Sequence, residues 1–368
     1  MRERRQVTGR PSSGGFGYQP ALDGVRALAV AMVLVFHGGF GWMSGGYVGV
    51  SVFFTLSGYL ITSLALVEHD ATGRFSARAF YQRRIRRLLP ASLVCLSGVI
   101  AAARVGWFEP AVHLRRDLWA AVTQVYNWSA LAGDETYAEI VAGGGARARP
   151  LDHYWSLAIE EQFYWVWPLL LLVILRWSGR VRLAAIGGLT AATGVAAPLI
   201  AAAWGGDAAY WATPARLAEI LVGATLAVIL HRWSVSGSRG VGLLAPIGVV
   251  AIVGAGVTWP ADSGPAYTGW LPVFALASAA LIVGLQVAGP VRRVLSWRPL
   301  VALGAVSYGV YLYHWPIFGL LDERVLDWGR VALFALRVVV TIAVAAASYL
   351  LAERPIRRGR RPVVTVFR

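Results

Sequence analysis

The sequence contains no lysine: all 34 of its basic residues are arginines. It has one cysteine, Cys95, inside an apolar run, which excludes a disulfide framework and a cysteine-held metal. Charged residues make up only 14% of the chain, well below a soluble domain. The N-terminal arginines are not followed by an apolar core or a clear cleavage site, so a cleaved signal peptide is not expected. No convincing internal repeat is present. What fills the chain is apolar: 57% of 368 residues are hydrophobic and the mean hydropathy is +0.58. That composition predicts an all-α polytopic membrane protein.

Ten transmembrane helices are expected, at about 22–41, 46–67, 88–106, 155–175, 182–203, 212–231, 241–258, 269–288, 300–319 and 331–352. With the N-terminus inside, 24 of the 34 arginines fall in segments on the inner side, so both termini are expected to be cytoplasmic in a cell-membrane protein. The expected domains are a flexible cytoplasmic tail at 1–20, a transmembrane domain at 21–353 and a basic cytoplasmic tail at 354–368. The net charge of +15 and pI near 10.7 fit basic loops against anionic headgroups better than nucleic acid, and no nucleic-acid partner is expected. The basic aromatic stretch 74–87 reads as an interfacial helix, and 107–153 as a long outer loop with a flexible GGGARAR segment.

The first span carries Asp23, Arg26 and His37, and ionisable groups in a membrane segment are functional suspects. Arg26 and His37 are eleven residues apart, about 20° past three turns, so they share one face about 16 Å apart, with His37 expected near mid-membrane. His37 suits a general base, and the alternative is a histidine satisfied by a neighbouring hydroxyl or carbonyl while Arg26 snorkels. In the run YQRRIRRLLP, Arg83/Arg86 and Arg84/Arg87 are i,i+3 pairs suited to phosphate, or else a simple membrane anchor. Glu160 and Glu161 enter an aromatic-rich span behind His153 and Trp155, and one carboxylate is expected to orient an imidazole. A His153–Glu160 pair on one face is the other option. Ser57-Gly58 permits close backbone approach, His314 lies near the outer end of the ninth span, Arg216–Glu219 reads as a self-satisfied pair, and Glu353 as an end cap.

Together these stretches resemble the membrane acyltransferase family 3. The carriers are ALDGVRALAVAMVLVFH, GVSVFFTLSGYLIT, FYQRRIRRLLP, HYWSLAIEEQFYWVWP, RLAEILVGATLA, SYGVYLYHWPI and ERPIRR, in the family's order and over nearly the whole chain. The resemblance implies a ten-helix domain that moves an acyl group, often acetyl, from cytoplasmic acyl-CoA to a hydroxyl of a carbohydrate or glycosylated small molecule. It implies that His37 is the essential histidine and Arg26 its basic partner. It further implies that Arg84/Arg87 or Arg83/Arg86 bind the donor and that Glu160 is the family's glutamate. Asp23, Ser57, His153, Trp155 and His314 complete the candidate set as substrate-contacting residues, with Glu161 beside Glu160 at the catalytic centre. Acetyl-CoA is the expected donor, with membrane lipid around the protein and no metal. Ser51 stands where many members carry aspartate, which removes a carboxylate there. Some relatives continue into an SGNH-type domain, and the sequence here stops at Arg368, so a two-step relay within one chain is not expected. His37 can either deprotonate the acceptor or carry the acyl group itself. The competing classes are a transporter of an acylated or anionic solute and a membrane scaffold.

Overall fold

The computed structural model describes residues 17–108, 111, 113–133, 145–233, 235, 239–323 and 326–358. Residues 1–16 and 359–368 of the anticipated tails lie outside these residues, as do the first two glycines of GGGARAR; its remaining residues start with a short helix, Gly145–Ala148, where a flexible loop was expected. The described residues form helices and no strand. Eight helical stretches are long and apolar enough to cross a membrane, so the chain is a multi-pass membrane protein.

Helix α1 (Pro20–His37) begins on a proline in its first turn, where the missing N–H costs nothing, with Asp23 near the positive helix end. It ends at His37, where the Gly38 N–H closes onto the Leu34 carbonyl. His37 therefore sits at the C-terminal end of the helix, which stops four residues short of the anticipated 22–41 window. Helix α2 (Gly49–Thr72) follows two short turns and stops at Gly73, whose φ of +71° suits a residue without Cβ. Helix α3 (Ala77–Arg104) is capped by the Ser76 hydroxyl, which accepts from the Ala79 N–H at 3.2 Å. It is one continuous 28-residue helix, so the expected interfacial helix and third span are a single element. Helices α4 (Leu114–Val122) and α5 (Tyr126–Leu131) organise the loop before α6 (Tyr154–Ile174). Gln162 of α6 ties that loop down by donating to the Gln124 carbonyl at 2.8 Å and the Asn127 amide oxygen at 2.9 Å.

Helices α7 (Gly179–Trp204), α8 (Thr213–Arg232) and α9 (Arg239–Thr258) match their anticipated spans. Helix α10 (Leu271–Gly284) has only 14 residues. The anticipated ninth span is broken at Val306 into α11 (Arg298–Ala305) and α12 (Ser307–Leu320). Helix α13 (Arg330–Ser348) runs into a π turn, Tyr349–Glu353, where Glu353 is buried and accepts from Arg357 at 2.6 Å. Small residues set the central packing. A Cβ on Gly58 of α2 would strike the Ile220 carbonyl of α8, and one on Gly223 would strike the Thr55 carbonyl of α2. Two backbones approaching this closely is the usual route to helix association in lipid.

Candidate active site

Two cavities lie end to end beside α1. The first, about 70 Å³, is lined by Arg26, Arg84, Arg87, Ser57, Glu160, Tyr164 and Tyr308, among others. It is an arginine cavity. Arg26 is held by Asp23 at 3.1 Å, and Asp23 also accepts from the Tyr18 hydroxyl at 2.8 Å. Asp23 thus braces Arg26. Arg84 lies over the Tyr164 ring at 4.5 Å, a cation–π contact. Among the described residues neither Arg84 nor Arg87 forms an ion pair, so two guanidiniums face one cavity with unspent donors. Glu160 accepts from Ser57 at 2.5 Å, and the Tyr164 hydroxyl reaches the same serine at 3.1 Å.

The second cavity, about 10 Å³, is lined by Val33, His37, Tyr47, Val50, Asp152, His153, Trp155, Tyr311 and Trp315. It is a histidine cavity. Val50 and Tyr311 line both cavities and form the wall between them. Tyr311 is fixed by Ser156, hydroxyl to hydroxyl at 2.6 Å. Arg26 and His37 consequently sit in different cavities at the two ends of one helix.

His37 meets a partner from the far end of the chain. Its Nδ1 lies 3.0 Å from His314 Nε2, and His314 Nδ1 lies 2.5 Å from the Tyr311 carbonyl. A carbonyl only accepts, so His314 carries its proton on Nδ1. With both rings neutral, this contact is met when His314 Nε2 accepts from His37 Nδ1, and the Val33 backbone one turn earlier also engages the His37 ring. A His37 protonated on Nδ1 carries its lone pair on Nε2, the form a general base or acyl carrier needs. The sequence reasoning gave the orienting part to Glu160 or Glu161. The structure gives it to His314, because Glu160 is engaged by Ser57 in the other cavity. The proposed His153–Glu160 pair does not form either: His153 precedes α6, and neither of its buried ring nitrogens has a hydrogen-bond partner.

The remaining candidates separate cleanly. Arg83 is mostly exposed and pairs with Glu68 at 3.1 Å, and Arg86 lines neither cavity. Glu161 lines a third, apolar groove of about 300 Å³ between α3 and α6, which also takes in Ile85, Leu89 and Trp165. Trp155 is shared: it lines the histidine cavity and faces Arg216 at 5.3 Å. Ser51, the serine of the GVSVFF stretch, accepts from Arg216 at 3.3 Å. Arg216 already has Glu219, at 2.5 Å, so the serine leaves no buried charge unpaired. Outside the spans, Arg149 donates to Asp117 at 3.2 Å and to Tyr126 at 3.3 Å, while its carbonyl accepts from the Trp315 indole at 2.8 Å. Burial, reinforced by Asp152 and Asp117, pushes the Tyr126 hydroxyl well above its ordinary range. This cluster pins the loop over the histidine cavity. Sequence reasoning placed neither Tyr311 nor Tyr47 at the site.

A family model described as an acyltransferase domain matches residues 19–353. The chain belongs to this acyltransferase family. Every cavity residue named above falls within the matched range. Among individual relatives, YrhL of Bacillus subtilis (strain 168) is 33% identical over 353 residues, covering 92% of this chain and 55% of that protein. The peptidoglycan O-acetyltransferase OatA of Listeria monocytogenes is 33% identical over 364 residues, covering 93% of this chain and 56% of its own. The O-acetyltransferase OatA of Staphylococcus aureus (strain NCTC 8325) is 29% identical over 352 residues, covering 93% and 57%. The chain thus spans little more than half the length of these acyltransferase relatives. No solved structure matches.

Proposed function

We propose that this chain is an integral-membrane O-acyltransferase that moves an acyl group, acetyl by preference, from acyl-CoA to a hydroxyl of a carbohydrate. The observation that carries the reading is the pair of cavities meeting at one wall, with Arg84 and Arg87 outside any ion pair among the described residues on one side and the His37–His314 contact on the other. Arginine placement puts the Arg84/Arg87 end at the cytoplasm, where acyl-CoA is made. Paired guanidiniums match phosphate oxygens in a bidentate way, so Arg84 and Arg87 bind the donor's phosphates. The pantetheine arm passes Arg26, and the rise from Arg26 to His37, about 16 Å, sets the reach it must cover. Tyr311 and Val50 are the last side chains the thioester meets before His37. The names of the relatives, peptidoglycan O-acetyltransferase among them, support a carbohydrate acceptor and an acetyl donor. His37 Nε2 then takes the acceptor proton as the oxygen attacks the thioester carbon.

Purified protein in nanodiscs, given acetyl-CoA and a carbohydrate acceptor, is expected to release free CoA. His37→Ala is expected to lower the rate by about 10²- to 10⁴-fold, the usual share of a general base, with unchanged thermal unfolding. Absence of CoA release from the wild-type protein would return the chain to the transporter class. Full activity of His37→Ala would remove His37 from the chemistry.

A further inference from the structure

His153 is an anomaly in a well-satisfied interior. Its side chain is 97% buried by position, with a relative exposure of 3%. Neither Nδ1 nor Nε2 makes a well-formed hydrogen bond among the described residues, and the Leu312 backbone is the polar group that approaches the ring. A buried polar group left this way costs on the order of 1–3 kcal/mol. Polar groups with this cost persist where something else satisfies them.

The ring faces a cavity. His153 lines the histidine cavity together with His37, and its ring centroid is 5.8 Å from that of His314. The cavity's volume, about 10 Å³, admits one water-sized group. Its other walls are Asp152 and the rings of Tyr47, Trp155, Tyr311 and Trp315. Carboxylate, imidazole and aromatic faces together are the chemistry that binds sugars: polar groups take the hydroxyls and rings take the C–H faces. His37 keeps part of its surface accessible here. His153 also stands at the start of α6, whose other end leads into the arginine-rich inner loop 176–182, so the cavity lies toward the opposite membrane face.

We propose that the histidine cavity is the acceptor subsite, taking one hydroxyl of a carbohydrate that arrives from the membrane face opposite the arginines, with His153 hydrogen-bonded to the sugar. The proposal rests on the acyl-transfer reading above and assigns its second substrate a place. The hydroxyl enters the one-group space between His153 and His37. His37 Nε2 removes its proton, the alkoxide oxygen bonds to the thioester carbon of acyl-CoA, and the carbon–sulfur bond breaks. The CoA thiolate leaves and takes the proton from the His37 imidazolium, restoring the neutral base. His153 binds and orients the sugar, and neither gains nor loses a proton in the cycle.

The test uses tri-N-acetylchitotriose as the carbohydrate probe and the full chain in nanodiscs. Saturation-transfer NMR is expected to show probe binding to the wild-type protein, and His153→Phe is expected to weaken it at least 10-fold while CoA binding stays unchanged. Because the phenylalanine replaces an unsatisfied buried imidazole, its unfolding temperature is expected to equal or exceed that of the wild-type protein. His153→Ala, which removes the same nitrogens without requiring ring packing, gives the same binding readout if the phenylalanine does not fit. Arg84→Ala is expected to do the reverse, losing CoA and keeping the sugar. Equal probe binding by wild-type and His153 variants overturns the proposal, as does absence of binding by the wild-type protein. Probe binding that depends on His153 without CoA release from acetyl-CoA upholds the subsite and overturns the acyl-transfer reading instead.

Discussion

Two arginine sites lie within one bundle and are built to opposite ends. Arg216, on α8, is fully enclosed: Glu219 pairs with it at 2.5 Å, the Tyr210 carbonyl accepts at 2.8 Å, Ser51 accepts at 3.3 Å, and the rings of Phe54, Trp155 and Tyr210 surround its guanidinium. Each of its nitrogens has a partner within the protein. Arg84 and Arg87 face a cavity, with Arg84 over the Tyr164 and Phe80 rings and neither arginine in an ion pair among the described residues. The difference teaches how to sort charged groups in a membrane protein. A guanidinium whose donors are all used holds helices together, and one whose donors are unused is open to an anion.

The comparison breaks most visibly at Arg216. Arg216→Met leaves Glu219 charged and buried, and is expected to destabilise the protein by about 3–5 kcal/mol. Adding Glu219→Leu removes the orphaned charge and is expected to recover most of that loss, read as the unfolding temperature in detergent. Loss of acetyl-CoA affinity in the single variant at unchanged stability would erase the distinction between the two sites. Next in size is Arg84→Ala. The expected result is a rise of about 10- to 100-fold in the acetyl-CoA KM, corresponding to about 1.4–2.8 kcal/mol of lost charge-assisted bonding, with little change in unfolding temperature. An unchanged KM would take Arg84 out of the donor site. The smallest effect belongs to Arg83→Ala. Its exposed pair with Glu68 is expected to contribute no more than about 1 kcal/mol, and KM should stay within about twofold of the wild-type value on the same grounds. A KM effect as large as that of Arg84→Ala would mean that the donor spans both faces of α3.

Local spacing made much of this legible in the sequence. Arg216 and Glu219 are three apart on a helix, and the structure forms that pair. Arg84 and Arg87 share a face by the same rule and line one cavity, while Arg83, one residue away, turns outward to Glu68. The spans were legible from hydropathy except where helix ends depend on tertiary support. α3 continues through the arginine run because those side chains reach the cavity and the membrane surface while the backbone stays helical. α12 starts afresh after Val306, a break that no proline or glycine at that position announced. The partner of His37 was not legible at all. His314 lies 277 residues later, and periodicity carries no information across that distance. Nor could spacing reveal that His153 is unsatisfied, since that depends on which groups the fold fails to bring to it.

The wall shared by the two cavities has an electrical meaning. A path polar from both faces would let protons run down the membrane potential, at about 2.3 kcal/mol per charge for each 100 mV. Val50 and Tyr311 line both cavities, and the Tyr311 hydroxyl is tied to Ser156. An aliphatic side chain and a tethered ring therefore serve as the insulator of the molecule. They keep the arginine cavity and the histidine cavity from merging into one continuous polar space.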